Sequence, residues 1–162
     1  ATPHALVGSG ARVEHDDTHF LEFVRKERLS LACDRLVLFA HWVPPVGLHR
    51  RFDTLFFATR LPESQAPLAD GMEATEALWT PPAEAMERRA RGECMIIFPT
   101  ARNLDLLAAS ANSEHVFSLA RARTIKPITP TIEERDGRKY LCIPDDCGYP
   151  ITSEPLDQSI RE

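Results

Sequence analysis

An α+β fold is the class this sequence predicts, and three observations predict it. Two strand-sized apolar runs, residues 36–43 and 52–59, are separated by a Pro/Gly loop. Several other stretches repeat apolar residues at helical spacing. The far end carries a two-strand pattern around Asp136-Gly137. Strands and helices are mixed without the regular alternation that builds parallel units.

The elements follow in order. The first dozen residues hold Gly and Ser without periodicity and read as a loop or tail. Asp16, Asp17 and Thr18 are suited to cap a helix running to about Arg28, with Phe20, Leu21 and Val24 on its apolar side. From Leu36 to Val43, β-branched and aromatic residues predict a strand, ended by Pro44, Pro45 and Gly47. Phe52 to Thr59 predicts a second strand. Glu76 to Trp79 is expected as a short strand. Thr80 then caps a helix with Pro81 in its first turn, and Gly92 stops it. Cys94 to Phe98 reads as a strand, and Thr100 as the start of a helix with Leu104, Leu107, Ala108 and Ala111 on one side. A further helix is expected from Glu114 to Arg123. Thr131–Arg135 and Lys139–Ile143 make a hairpin across Asp136-Gly137, a turn pair that tolerates positive φ.

Composition narrows the function classes. The 162 residues are 43% apolar and 27% charged, the balance of a soluble globular protein. No apolar run approaches a membrane span, and no signal peptide is evident at the N-terminus, so a cytoplasmic location is expected. The net charge of −5 argues against a large nucleic-acid surface. Cys33, Cys94, Cys142 and Cys147 are scattered and read as reduced thiols; the Cys142/Cys147 pair lacks the second pair a zinc site needs. The chain starts at alanine, which points to processing or a missing upstream piece.

Four segments occur in a recognisable order. The first is Phe39-Ala40-His41-Trp42-Val43-Pro44-Pro45 followed by Arg50-Arg51-Phe52-Asp53-Thr54. The second is Glu76 to Trp79 running into Pro82, Glu84 and Ala85. The third is Phe98-Pro99-Thr100 with Asn103-Leu104 and Leu107. The fourth is Asp136-Gly137-Arg138 with Ile143-Pro144 and Gly148-Tyr149. Together they resemble the C-terminal part of a Nudix hydrolase of the coenzyme A diphosphatase-like branch, over roughly Phe20 to Tyr149. The resemblance implies an α/β/α sandwich around a mixed sheet, incomplete at its N-terminus. It divides the chain into a tail (1–19), the C-terminal portion of one domain (20–150) and a second tail (151–162). It also implies hydrolysis of a diphosphate bond in coenzyme A, an acyl-CoA or a related nucleoside diphosphate derivative, with Mg²⁺ or Mn²⁺.

In that family the metals are held by a motif G-x5-E-x7-R-E-x2-E-E-x-G, whose glutamates share one helix face. The motif is absent here: Glu133-Glu134 belongs to the hairpin, and Arg161-Glu162 ends the chain. In this branch it should precede Phe20, so the metal ligands are expected upstream. Whether the isolated chain is an enzyme is therefore open. The alternative is a non-catalytic Nudix-like module that binds a nucleotide or a protein. A homodimer, or a complementing N-terminal chain, is the expected assembly.

The resemblance and the residue types single out a few positions. Arg50 and Arg51, with Asp53, either grip a substrate phosphate through forked guanidinium donors or form an ion pair on one strand face. His49 either joins them or is an exposed loop histidine. His41 and Trp42 point to opposite faces of a strand: one packs inside, and the other lines a pocket or stacks on adenine. Asp70, Glu73 and Glu76 form an acidic group: the resemblance makes Glu76 the candidate catalytic residue, and otherwise the group is a solvated loop. Pro99 and Thr100 stand at a helix N-terminus, where backbone donors suit an anion or Thr100 is simply the cap. Arg121, Arg123 and Lys126 either meet the 3′-phosphate of coenzyme A or form a solvated helix end.

Overall fold

The computed structural model describes residues 17–45, 52–63, 65–69, 71 and 74–159. The chain divides into two units, Ala1–Arg35 with Arg60–Trp79, and Leu36–Thr59 with Thr80–Glu162.

The first unit holds helix α1 (Asp17–Lys26), which presents Phe23 and Val24 as half-buried and Phe20 and Leu21 as exposed. The N–H of Leu29 bonds back to the Val24 carbonyl beyond its end. A 3₁₀ turn follows at Cys33–Arg35. The expected strand at Glu76–Trp79 does not form: the stretch is irregular and Trp79 is 74% exposed. Strand-like residues become a strand only where a neighbour supplies the other half of the ladder, and this stretch pairs with no described strand.

The second unit contains the rest. Strands β1 (Val37–Trp42) and β2 (Thr54–Ala58) pair antiparallel, with Trp42 opposite Thr54 and Val37 opposite Ala58. The register slips between Leu38 and Ala40, leaving Phe39 as the extra residue of a bulge. The neighbours Phe39 and Ala40 at this slip are both buried. Helix α2 (Pro82–Ala90) starts on its prolines without the expected Thr80 side-chain cap. Gly92, at φ +73, stops it, and the N–H of Glu93 reaches the Arg88 carbonyl.

Helix α3 (Phe98–Ala108) begins two residues earlier than expected. Pro99 has its φ preset for a first turn and needs no N–H there, so Thr100 lies inside the helix instead of capping it. Residues 94–97 are correspondingly an extended lead-in, not a strand; their side chains alternate in exposure but pair with no described strand. Helix α4 (Ser113–Ala122) is capped by Asn112, whose side chain accepts from the His115 N–H at 2.9 Å. Strands β3 (Thr131–Arg135) and β4 (Arg138–Cys142) form the expected hairpin, with φ +52 at Asp136 and +74 at Gly137. Within the stretch expected as a second tail, β5 (Ser153–Pro155) pairs with β4 and leads into α5 (Leu156–Ser159).

The result is a mixed α+β arrangement. In place of one mixed sheet between helical layers, the described residues form two antiparallel sheets, β1-β2 and β3-β4-β5. A parallel bridge joins Trp42 to Ile128. The core gathers Phe39, Ala40 and Trp42 from β1, Phe98 from α3, Ala120 from α4, then Ile128, Leu141, Ile143 and Tyr149. Phe98 is fully buried, and burial of such a side chain is worth about 1.5–3 kcal/mol. The opposite face of β2 leaves Leu55 and Phe57 half exposed.

Candidate functional site

A cleft of about 300 Å³ opens in the second unit where the end of β1, residues 123–129 and residues 144–149 meet. The chain leaves α4 at Arg123 in an extended conformation and runs beside β1, held by Ile128 N–H to His41 O and Val43 N–H to Ile128 O, both 2.9 Å. That places Arg123 and Lys126 on the same cleft as His41.

The Arg123 guanidinium is fixed from two sides. Its Nη2 donates to the Cys147 carbonyl at 2.8 Å, and its head lies 5.4 Å over the Tyr149 ring. Gly148 forms the turn beside it. It sits at φ +80, and a Cβ there would stand 3.4 Å from Arg123 Nη2. The Tyr149 hydroxyl, buried behind the cleft, donates to Asn103 Oδ1 at 2.7 Å, and the Trp42 indole N–H donates to the same oxygen at 3.3 Å. Burial pushes the Tyr149 phenol up, so it stays a donor. The Cys147 thiol, also pushed up by burial, donates to the Pro144 carbonyl at 2.7 Å.

His41 and Trp42 divide their roles as adjacent strand residues must. Trp42 is 2% exposed and packs edge-on against Phe98 and Tyr149, so it is the core member. His41 lines the cleft, and its Nε2 is hydrogen-bonded to Asp53 Oδ1. Asp53 thus partners His41, whereas the pairing with Arg51 expected from sequence lies outside the described residues, as do Arg50, His49, Asp70 and Glu73. Pro99 and Thr100 occupy the first turn of α3, half-buried, and neither lines the cleft. Glu76 is exposed in the first unit. Arg121 parts from its sequence neighbours: it stays on α4, 5.8 Å over the Phe117 ring. From sequence alone Asp146 and Cys147 carry no sign of lining a cleft; the turn at Gly148 is the one local hint.

A second, larger hollow runs along α2 past Met86, Arg89, Cys94 and Met95. Its charge is already spent. Arg89 forms a forked pair with Glu154 and donates to the Gln158 carbonyl at 2.9 Å. Glu154 also takes Arg102 Nη2 at 3.1 Å, and Asp105 lies 3.0 Å from the same nitrogen. The hydrogen bond to Glu154 raises the Arg89 pKa, while burial lowers that of Arg102 and raises that of Asp105. This is a structural network at the base of the second unit.

Among the described residues, no three His, Cys, Asp or Glu side chains come together as ligands for a metal ion. The Mg²⁺ or Mn²⁺ that the resemblance implies therefore has no ligand set in them. No helix among them is long and apolar enough to cross a membrane.

The chain is similar to part of an acyl-coenzyme A diphosphatase. Over 121 residues it is 34% identical to acyl-coenzyme A diphosphatase NUDT19 of Gallus gallus, a match that takes in 68% of this chain and 31% of that protein. The chain thus spans under a third of that relative's length. No protein-family model and no solved structure matches.

Proposed function

We propose that this chain supplies the ligand-holding part of a Nudix-type diphosphatase acting on coenzyme A, an acyl-CoA or a related nucleoside diphosphate derivative. The observation that carries this is the similarity to the chicken acyl-coenzyme A diphosphatase, which agrees with the four ordered sequence segments. In this reading Arg50 and Arg51 grip the diphosphate, Asp53 and His41 steady that end of the hairpin, and the first turn of α3 at Pro99 and Thr100 contributes to substrate binding. Glu76 assists the attack of water on phosphorus.

The metal ions would neutralise the diphosphate and position that water. Their ligands belong, on this proposal, to a carboxylate motif outside these 162 residues. The apolar outer face of β2, with Leu55 and Phe57, is the sort of surface that a further layer of a sandwich covers. The test is hydrolysis of coenzyme A by a form of the protein that carries the glutamate motif, with Mg²⁺ or Mn²⁺ present. Cleavage at the diphosphate, releasing adenosine 3′,5′-bisphosphate, is expected. Full stability with no turnover by that form sinks the proposal.

A second reading rests on the same similarity. In it the chain is a non-catalytic module that binds the same class of ligand. A raised melting temperature with coenzyme A, without cleavage by any form of the protein, selects it.

A further inference from the structure

We propose that the cleft between β1 and residues 123–129 is a binding site for a phosphate monoester. Its lining brings two cations, Arg123 and Lys126, against one carboxylate, Asp146; His41 also lines it but is already bonded to the Asp53 carboxylate. Net positive charge in a recess surrounded by low-dielectric walls favours an anion more than the same charge on a flat surface. The cleft also has the size for a phosphate with its first ester group attached.

Arg123 is organised for this in advance. The Cys147 carbonyl and the Tyr149 ring hold its guanidinium, so little side-chain freedom is lost when an anion binds. Tyr149 is itself held by Asn103, so the support extends into the core. Arg123 Nη1 has no hydrogen-bond acceptor, so the guanidinium keeps an unspent donor beside the cleft. Lys126 is exposed and adds a mobile point charge at the rim.

The charge of the ligand follows from the cleft alone. Its identity as the 3′-phosphate of coenzyme A rests on the function proposed above; free phosphate is the other source of the same chemistry. Calorimetric titration of the 162-residue chain with coenzyme A, dephospho-coenzyme A and inorganic phosphate separates them. Coenzyme A is expected to bind at least about tenfold tighter than the dephospho form, which lacks the phosphate monoester and its charge-assisted contacts. Lys126→Ala and Arg123→Ala should shrink that difference, with Arg123→Lys restoring part of it. Lys126→Ala keeps the test valid should Arg123→Ala loosen the turn at Gly148, and thermal melts report that loosening.

Phosphate binding that both variants lose, with no affinity for coenzyme A, keeps the cleft and removes the coenzyme A reading. Equal binding of coenzyme A and its dephospho form, untouched by either variant, removes the cleft and leaves that reading standing. No binding by any of the three compounds overturns both.

Discussion

The Tyr149 hydroxyl donates to Oδ1 of Asn103 at 2.7 Å, joining the back of the cleft to the helix that carries most of the buried polar groups. The same oxygen takes the Trp42 indole N–H at 3.3 Å. One buried amide therefore satisfies two aromatic donors from two other parts of the chain. Asn103→Ala strands both, at about 1–3 kcal/mol for each buried donor left unmet. A loss of about 2–6 kcal/mol in urea unfolding is expected. A loss below 1 kcal/mol would show that water replaces the amide.

Tyr149 gives the pH dependence. Burial raises its folded pKa above the unfolded value of about 10. The neutral phenol thus contributes stability that is fully present below pH 10 and is lost as pH rises through the higher folded value. Tyrosinate absorbance should show one phenol ionising above the ordinary range, together with the onset of alkaline unfolding. Tyr149→Phe removes that late step. A Tyr149 that titrates normally in the folded protein contradicts the buried placement.

How much of this was legible in the sequence depends on what each feature rests on. The β3-β4 hairpin, the stop at Gly92 and the helices α3 and α4 rest on local turn chemistry and periodicity, which a sequence displays. The segments 94–98 and 76–79 were misjudged because apolar residues alone do not decide between a strand and an extended lead-in; a partner does. The role of 151–162 was invisible because Glu154 matters through Arg89 and Arg102, 65 and 52 residues away. In the site, the division between His41 and Trp42 followed from strand alternation. The assembly of Arg123, Lys126 and Tyr149 with His41 needed the long-range bridge at Ile128.

The four thiols should react in an order set by access. All are free, Cys33 exposed and Cys142 buried. Burial pushes the Cys142 and Cys147 thiols up, reducing the thiolate that reacts. Peptide mapping after brief alkylation of the native chain should find Cys33 modified first and Cys142 last. Rapid labelling of Cys142 would mean that β4 opens readily at its end.

Two substitutions test the proposed chemistry in a form of the protein that carries the glutamate motif. If Arg51 grips the diphosphate as proposed, Arg51→Ala should raise the KM for coenzyme A through loss of a forked phosphate contact. Glu76→Gln should lower kcat by about 10²–10⁴ with little change in KM, the range for loss of a general base. A Glu76→Gln enzyme with undiminished kcat assigns the proton transfer elsewhere.

Glu154 is the sharpest test of the fold. It sits on β5 at 7% exposure and accepts from both Arg89 of α2 and Arg102 of α3. Those guanidinia are closer to each other than their charges favour, and burial already lowers the Arg102 pKa. Glu154→Ala leaves two cations facing a single remaining carboxylate, Asp105, and breaking a buried pair in this way costs about 3–5 kcal/mol. Truncation before Ser153 should be at least as damaging, because it also strips the outer edge of β4. Glu154→Gln keeps the shape but loses the charge, and should fall between. Circular dichroism melts rank the three against the native chain. If Glu154→Ala melts with the native protein, the buried network is not what holds β5 in place.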